Sequence, residues 1–366
     1  MVLLSGQPVR LQPYFGYRST GRLVIAARAL RSGKPGFERG GRIQAMRTML
    51  AQFASREVPG LDVVLELKSL DGRRSEHRGT TDREGFVRFD IDLELDWPLP
   101  ADPAWEIVCL HWLNREGPQS VEGHVLVPGA DTVLAVISDI DDTIVETGIT
   151  GGFRQIARNW RRVLAQLPDE RIAVPGVDAF YSALGGGAVL AGQGHAGDAV
   201  RATHRPFFYV SSSPWNLFSY LVAFLRSRKL PLGPLLLRDW GFDRATLGAS
   251  GHGEHKRVAI EALLAMYPDI RFALIGDDTQ GDLPAYADAV THNLGRVAAV
   301  FIRTAAGAPL SPEELASKAT IEAAGVPLWL GESYDTGREF LRVAGLKADR
   351  DAARIVETVE TAHESA

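Results

Sequence analysis

The sequence predicts a two-domain α/β protein, in which an antiparallel β-sandwich-like domain at 1–130 precedes a doubly wound parallel sheet at 131–346. Two observations support this prediction. Short strand-like runs separated by Gly, Pro and Asp fill the first third of the chain, whereas apolar runs later alternate with segments long enough for a helix. Residues 347–366 are charged and Ala-rich, and we expect a C-terminal tail there with no evident role.

The composition excludes several classes of protein. A chain of 366 residues with 45% hydrophobic and 23% charged residues is ordinary for a soluble globular protein. Its net charge of -5 gives no global reason to expect nucleic acid as a partner. No run reaches the roughly 20 apolar residues of a membrane-spanning helix, and the N-terminus lacks a secretory pattern. Cys109 is the single cysteine, so we expect a cytoplasmic protein without an intrachain disulfide, with membrane contact only at the periphery.

Five strand-like runs and one helix are predicted in the first domain. The helix, roughly 43–54, carries Met46, Met49, Leu50 and Phe53 at helical spacing, and packing is the favoured role of both methionines. No catalytic set occurs in this domain. The strand-like runs are 22–27, 62–67, 86–91, 106–111 and 121–127.

The second domain is predicted from the alternation of strand and helix. Parallel strands need long crossover connections. Most of the apolar runs in this domain are separated by a segment long enough for such a connection. Helices at 312–324 and 334–344 complete the domain. After the run that begins at Val133, the strand-like runs are 207–211, 235–237, 272–276 and 297–302.

The first strand of this domain ends in carboxylates, within the sequence VLAVISDIDDT at 133–143. Because ligands bind at the carboxyl edge of an open α/β sheet, Asp139, Asp141 and Asp142 are site candidates. A solvated turn after a core strand is the alternative. Asp139 is suited to act as a nucleophile on phosphorus, and Asp141 as the general acid and base. Thr143 can hold the turn by a side-chain hydrogen bond.

Two later segments contain candidates for holding phosphate. The strand at 207–211 continues into SSSPWN, where hydroxyls and backbone amides before a helix suit phosphate oxygens, with helix capping as the alternative. Lys256 lies where a helix is predicted to begin, a position that the helix dipole opposes, so an ammonium directed at the phosphorylated nucleophile would explain it. An exposed lysine without a role is the alternative. Ser211 and Lys256 are therefore predicted catalytic residues, and Thr143, Ser212 and Asn216 are predicted to bind the substrate phosphate.

The strand at 272–276 favours a metal ion, because it ends in the sequence GDDTQGD. Carboxylates on a glycine turn suit Mg²⁺, which in phosphate-ester sites takes one or two carboxylates and several waters. Asp277 is the first choice as a direct ligand, and Asp278 or Asp282 would orient a metal-bound water. Asp139, through its carboxylate, and Asp141, through its backbone carbonyl, complete the predicted metal site.

The order of these segments, strand-DxDxT, strand-Ser, Lys at a helix and strand-GDxxxxD, resembles the signature of the haloacid-dehalogenase (HAD) superfamily of phosphotransferases. The resemblance implies an HAD-like sheet, and the short segment between the first two motifs predicts a small cap. Asp141 argues against the dehalogenase branch, which has no leaving oxygen to protonate.

A closer resemblance, over roughly 134–345, is to the catalytic domain of the actin-patch-associated phosphatidate phosphatase family. The segments SDIDDTI at 138–144, FYVSSSPWNL at 208–217 and PLGPLLLRDWG at 231–241 carry it. The resemblance implies Mg²⁺-dependent hydrolysis of phosphatidate to diacylglycerol and phosphate. Two departures are Asp278-Thr279, where relatives more often have Ser-Gly, and Gly281 in place of a frequent lysine, which removes a positive charge near the site.

One further segment bears on a lipid substrate. Between Phe153 and Leu167, four arginines fall on one face of a predicted helix and apolar residues on the other. Such a helix could rest on anionic lipid headgroups, and a solvated arginine face over a packed apolar face is the alternative. Two other functions stay open: a phosphomonoesterase acting on a soluble sugar or nucleotide phosphate, and a non-catalytic lipid- or protein-binding scaffold.

Overall fold

A computed structural model divides the chain into two compact units, the first containing residues 1–130 and the later strand Ala199–Arg201, and the second beginning at Asp131. The predicted helix at 43–54, the arginine-bearing segment at 153–167 and the tail at 347–366 lie outside the described residues. The structure describes residues 8–31, 56–69, 72–93, 97–140, 174, 176–185, 199–238, 251–278, 281–304 and 309–346.

Strands and helices are numbered here in chain order. The strands are β1 (Val9–Pro13), β2 (Gly16–Arg18), β3 (Arg22–Arg31), β4 (Arg56–Glu57), β5 (Asp62–Lys68), β6 (Arg74–Thr80), β7 (Phe86–Asp92), β8 (Ala104–Asn114), β9 (Gly117–Val127), β10 (Leu134–Asp139), β11 (Ala199–Arg201), β12 (Phe207–Pro214), β13 (Leu235–Arg238), β14 (Arg271–Asp277), β15 (Val297–Arg303) and β16 (Leu328–Gly331). The helices are α1 (Val177–Gly185), α2 (Phe218–Ser227), α3 (Gly251–Met266), α4 (Asp282–His292), α5 (Pro312–Ala323) and α6 (Tyr334–Val343).

The first unit contains a mainly antiparallel, ten-stranded sheet in the order β1-β3-β2-β9-β8-β5-β6, with β4 and β7 paired to β3 and β11 paired to β8. All five strands predicted for this domain are confirmed as β3, β5, β7, β8 and β9. The sequence RSEHRGT of β6 was not predicted, because its residues are polar and alternate between exposed and half-buried. The second layer that a sandwich requires stays a prediction.

A buried ion pair joins β2 to β8 in this unit. The Arg18 guanidinium donates to both carboxylate oxygens of Glu106, with N to O distances of 2.7 and 2.5 Å. It also donates to the backbone carbonyls of Trp97 and Pro98. The Arg18 and Glu106 side chains are 1% and 8% exposed. Because both charges are removed from water, each depends on the other for its stabilisation.

The second unit contains a six-stranded parallel sheet in the order β13-β12-β10-β14-β15-β16. All six residues of β10 are buried, as expected for a central strand covered on both faces. After β10, the chain forms β12 and β13 on one side of β10. It then forms β14, β15 and β16 on the other side. The order therefore reverses between β10 and β14, which is where open α/β sheets bind ligands.

The helices of the second unit agree with those predicted from the sequence, except for the start of α3. The predicted helices at 312–324 and 334–344 are confirmed as α5 and α6. The prediction that a helix begins near Lys256 is wrong, because α3 begins at Gly251 and Lys256 lies in its second turn. The low helix propensity of Gly251 and Gly253 concealed this first turn. Among the described residues, no helix is both long enough and apolar enough to cross a membrane.

Neutralising one partner of the Arg18–Glu106 pair should destabilise the first unit. We expect Glu106→Gln, which keeps the shape but removes the charge, to lower the free energy of unfolding by about 3–5 kcal/mol. Asp90→Asn is the matched control, since the Arg22–Asp90 pair is about half exposed and should contribute less than about 1 kcal/mol. Urea denaturation followed by circular dichroism measures both, and equal losses would contradict the role of burial.

Candidate active site

Three buried carboxylates meet where the strand order of the parallel sheet reverses. Asp139 is the last residue of β10, Asp277 is the last residue of β14, and Asp282 is the first residue of α4. One carboxylate oxygen of each lies within 4.8 Å of the others, and all three residues are at most 1% exposed. Since β10 and β14 are parallel neighbours, their carboxyl ends lie side by side.

Lys256 extends from α3 into this acidic cluster. Its ammonium Nζ lies 2.9 Å from Asp139 Oδ1 and also donates to Asp282 Oδ1. The side chain is 1% exposed. Burial lowers the pKa of Lys256, but the negative charges of Asp139, Asp282 and Asp277 outweigh burial and raise this pKa above its ordinary value. The lysine is therefore charged, and it is placed against the predicted nucleophile.

Asp282 connects the lysine to the third acid. Its Oδ1 accepts a hydrogen bond from Lys256, and its Oδ2 accepts one from the backbone N–H of Asp277 at 3.0 Å. The position at the start of α4 also favours a carboxylate, because the helix dipole is positive there. Gly276 makes this approach possible, since a Cβ at that position would overlap Oδ2 of Asp282.

The serines predicted to hold phosphate lie at the carboxyl end of the next strand. Val210 of β12 is paired with Asp139, so Ser211 lies one residue beyond it at the same edge of the sheet. Ser211 is buried, and its Oγ accepts the backbone N–H of Ser213 at 3.0 Å, where the pairing of β12 with β13 shifts its register. Ser212 is also buried, and Asn216 lies in the short 3₁₀ turn Trp215–Leu217 that follows.

Two buried tyrosines behind the acids were missed by sequence reasoning. The Tyr181 hydroxyl lies 2.6 Å from Ser138 Oγ, and this Oγ donates to the backbone carbonyl of Asp139 at 2.7 Å. The Tyr286 hydroxyl donates to the backbone carbonyl of Ile275 at 2.7 Å. Burial raises the pKa of both phenols, so both stay protonated. Tyr286 lies four residues after Asp282, so the two residues share one face of α4, and this spacing could have indicated its position near the acids. Tyr181 has no comparable signal in the sequence.

Of the predicted site residues, the structure brings Asp139, Lys256, Asp277 and Asp282 together. Asp278 is half-buried, and its backbone N–H donates to the carbonyl of Arg303 at 3.1 Å. The metal role proposed for Asp278 stays a prediction. Residues 141–143, which include the predicted acid-base Asp141, lie outside the described residues.

The fold and this cluster define an α/β protein with a buried acidic site at the carboxyl edge of a parallel sheet. Residues 134–304 match the family described as "Phosphatidate phosphatase APP1, catalytic domain". This match covers all five strands predicted for the second domain, which are β10, β12, β13, β14 and β15, together with the acidic cluster and Lys256. The family resemblance predicted from the sequence motifs is thereby confirmed.

Two yeast proteins are similar to this chain over part of their length. Phosphatidate phosphatase APP1 of Saccharomyces cerevisiae is 27% identical over 266 residues, which is 69% of this chain and 39% of the yeast protein. An uncharacterised protein of Schizosaccharomyces pombe is 26% identical over 171 residues, which is 46% of this chain and 25% of that protein. This chain thus spans about two fifths or less of the length of these relatives.

Solved structures add no functional information. A β-glucuronidase from Parabacteroides merdae aligns with 88% of this chain and 39% of its own at a TM-score of 0.24 and 8% identity. A TM-score this low does not establish a shared fold.

Enlarging Gly276 should displace Asp282. In Gly276→Ala the added Cβ would overlap the Asp282 carboxylate and lie 2.8 Å from its Cβ. We expect a loss of about 1–3 kcal/mol in the free energy of unfolding, as for other overpacked sites. Gly21→Ala is the control, since a Cβ at Gly21 would meet nothing within 4 Å. Unchanged stability in Gly276→Ala, measured by denaturation, would contradict the close packing of Asp282 on β14.

Proposed function

We propose that this protein is a divalent-cation-dependent phosphatase that hydrolyses phosphatidate to diacylglycerol and phosphate, with Asp139 as the nucleophile. The observation that carries the proposal is the contact between Lys256 and Asp139 inside a buried cluster of carboxylates. A nucleophile of this kind needs a neighbouring cation to receive an anionic substrate. The segment that contains the cluster is also the one similar to the phosphatidate phosphatase family.

The donor atoms fit a hard divalent cation. Three buried carboxylates and one ammonium sum to a formal charge of -2. Carboxylate oxygens are the ligands that Mg²⁺ prefers. Asp139 and Asp277 would hold it directly, and Asp282, whose oxygens accept hydrogen bonds from Lys256 and the Asp277 backbone, would orient a metal-bound water. Asp141 and Asp278 complete the proposed set. When bound, Mg²⁺ would offset the repulsion between the anionic nucleophile and the anionic phosphate.

Asp139 and Asp141 would divide the reaction into two displacements. The Asp139 carboxylate attacks phosphorus in line, the ester P–O bond breaks, and Asp141 donates a proton to the leaving diacylglycerol oxygen. Asp141 then takes a proton from water, which attacks the aspartyl-phosphate and releases phosphate. Lys256 would contact the transferring oxygens, since its Nζ already lies 2.9 Å from Asp139 Oδ1.

Phosphate binding is proposed for hydroxyl and amide groups at the same edge of the sheet. Ser211 and Ser212 lie in β12 beyond its last pairing with β10, Asn216 lies in the 3₁₀ turn that follows, and Thr143 follows β10 in the sequence. Hydroxyls and backbone N–H groups before a helix are suited to phosphate oxygens. The lipid part of the substrate is proposed from the similarity to the yeast phosphatidate phosphatase. A substrate held in a membrane would require peripheral contact with an anionic lipid surface.

The proposal predicts that phosphate release depends on Asp139. With Mg²⁺ and phosphatidate dispersed in detergent, Asp139→Asn should lower kcat by at least about a thousandfold, because the amide cannot form the covalent intermediate. EDTA should abolish wild-type release, and added Mg²⁺ should restore it. Asp288→Asn, which changes an exposed carboxylate on α4, is the control and should keep wild-type activity. Release by Asp139→Asn at a tenth or more of the wild-type rate would overturn the mechanism.

The same assay separates the proposed substrate from its rivals. Faster turnover of glucose 6-phosphate or nucleoside monophosphates than of phosphatidate would identify a soluble phosphomonoesterase instead. Binding to phosphatidate vesicles without turnover of any phosphate ester would identify a lipid-binding scaffold.

A further inference from the structure

A chain of hydrogen bonds leads from α1 to the backbone of the nucleophile. Ser138 Oγ donates its hydrogen to the Asp139 carbonyl at 2.7 Å. Because a serine hydroxyl has one hydrogen, the contact of 2.6 Å between Ser138 Oγ and the Tyr181 hydroxyl must be a bond donated by the tyrosine. Ser138 and Tyr181 are completely buried, and Asp139 is 1% exposed. No solvent molecule can therefore replace either donor without reorganising the core.

The Tyr181 ring is fixed from two sides. It stacks on Phe207 of β12 with a centroid distance of 5.6 Å, and it meets Tyr334 of α6 edge-on at 6.3 Å. The neighbouring residue Phe180 stacks on Tyr334 at 4.8 Å. These aromatic contacts hold α1 against the sheet, so the hydroxyl of Tyr181 has little freedom to move away from Ser138.

The hydrogen bond from Ser138 Oγ to the Asp139 carbonyl lies at the end of β10. The pairing of β10 with β12 ends at Asp139 and Val210, and the pairing of β10 with β14 ends one residue earlier, at Ser138 and Ile275. The orientation of the last peptide is therefore less constrained by the sheet than that of preceding peptides. That peptide sets the direction of the Asp139 side chain, which must reach both Lys256 and the other carboxylates.

We propose that Tyr181 is a positioning residue, which through Ser138 fixes the Asp139 peptide and so aims the Asp139 carboxylate at the reacting phosphorus. This inference rests on the proposed function for its catalytic consequence. Its structural consequence, a correctly placed carboxylate for a cation, can be measured without turnover. Displacement of a reacting group by about 1 Å can cost a hundredfold in rate, so one hydroxyl at this position has a measurable effect.

The decisive comparison is between two buried tyrosines on the same unit. Tyr181→Phe removes only the hydroxyl, and we expect kcat for phosphatidate to fall about tenfold with KM unchanged, because substrate binding does not involve this group. Tyr209→Phe is the control. Tyr209 is paired with Ser138 across the sheet, but its hydroxyl donates to the Pro231 carbonyl at 2.7 Å, so kcat should stay at the wild-type value. Equal changes in the two variants would show a general effect on stability and overturn the proposal.

A double-mutant cycle tests whether Tyr181 acts through Ser138. Ser138→Ala should reproduce the loss seen in Tyr181→Phe, and adding Tyr181→Phe to Ser138→Ala should cause no further loss in kcat. Additive losses would contradict the proposed chain of hydrogen bonds. If Ser138→Ala is unstable, Tyr181→Phe alone still removes the connection and is compared with Tyr209→Phe.

Calorimetric titration of the full chain with Mn²⁺ gives a readout that is independent of catalysis. We expect Tyr181→Phe to weaken Mn²⁺ binding about tenfold, as other changes that disorient a metal-binding carboxylate do, whereas Tyr209→Phe should not. If the wild-type protein turns over no phosphate ester but this difference in affinity is seen, the proposed function fails and the positioning role stands. Wild-type affinity and kcat in Tyr181→Phe would overturn the role of Tyr181.

Discussion

The ion pair between Lys256 and Asp139 is the interaction on which the acidic site depends. Three carboxylates with oxygens within 4.8 Å of one another repel strongly when buried, by about 3 kcal/mol for each pair at an effective dielectric constant of 20. The ammonium of Lys256 contacts two of the three and reduces this cost. Asp282 contributes by holding the lysine with one oxygen and the Asp277 backbone with the other. The remaining negative charge is what a divalent cation would neutralise.

The parallel sheet brings together site residues that are distant from one another in the sequence. Asp139 and Lys256 are far apart in the chain, yet they meet because α3 packs beside the sheet whose central strands are β10 and β14. The reversal of strand order between these strands leaves space at their carboxyl ends for a ligand. The absence of a Cβ at Gly276 then allows Asp282 to approach the end of β14. Backbone topology, one glycine and one lysine together determine the geometry of the site.

Much of this arrangement could be predicted from the sequence, because its signals are local. The uninterrupted apolar run before Asp139 predicted a buried parallel strand, and the acids after β10 and β14 predicted a shared edge. The start of α3 was predicted wrongly, since glycine propensity suggested a loop where tertiary packing stabilises a helix turn. The distinct role of Asp282 depends on the direction of its two oxygens, and the contact of Tyr181 with Ser138 depends on packing across 43 positions. Neither leaves a periodic pattern in the sequence.

We propose that these buried carboxylates and Lys256 form one cation-binding catalytic site. The most direct test of this proposal is a crystal structure of the full chain grown with Mn²⁺, with the ion located by anomalous scattering. We expect a Mn²⁺ ion in direct contact with the carboxylates of Asp139 and Asp277, with Lys256 still bonded to Asp282. A Mn²⁺ ion bound elsewhere in the second unit, or a Lys256 that lies away from Asp139 and Asp282, would contradict it.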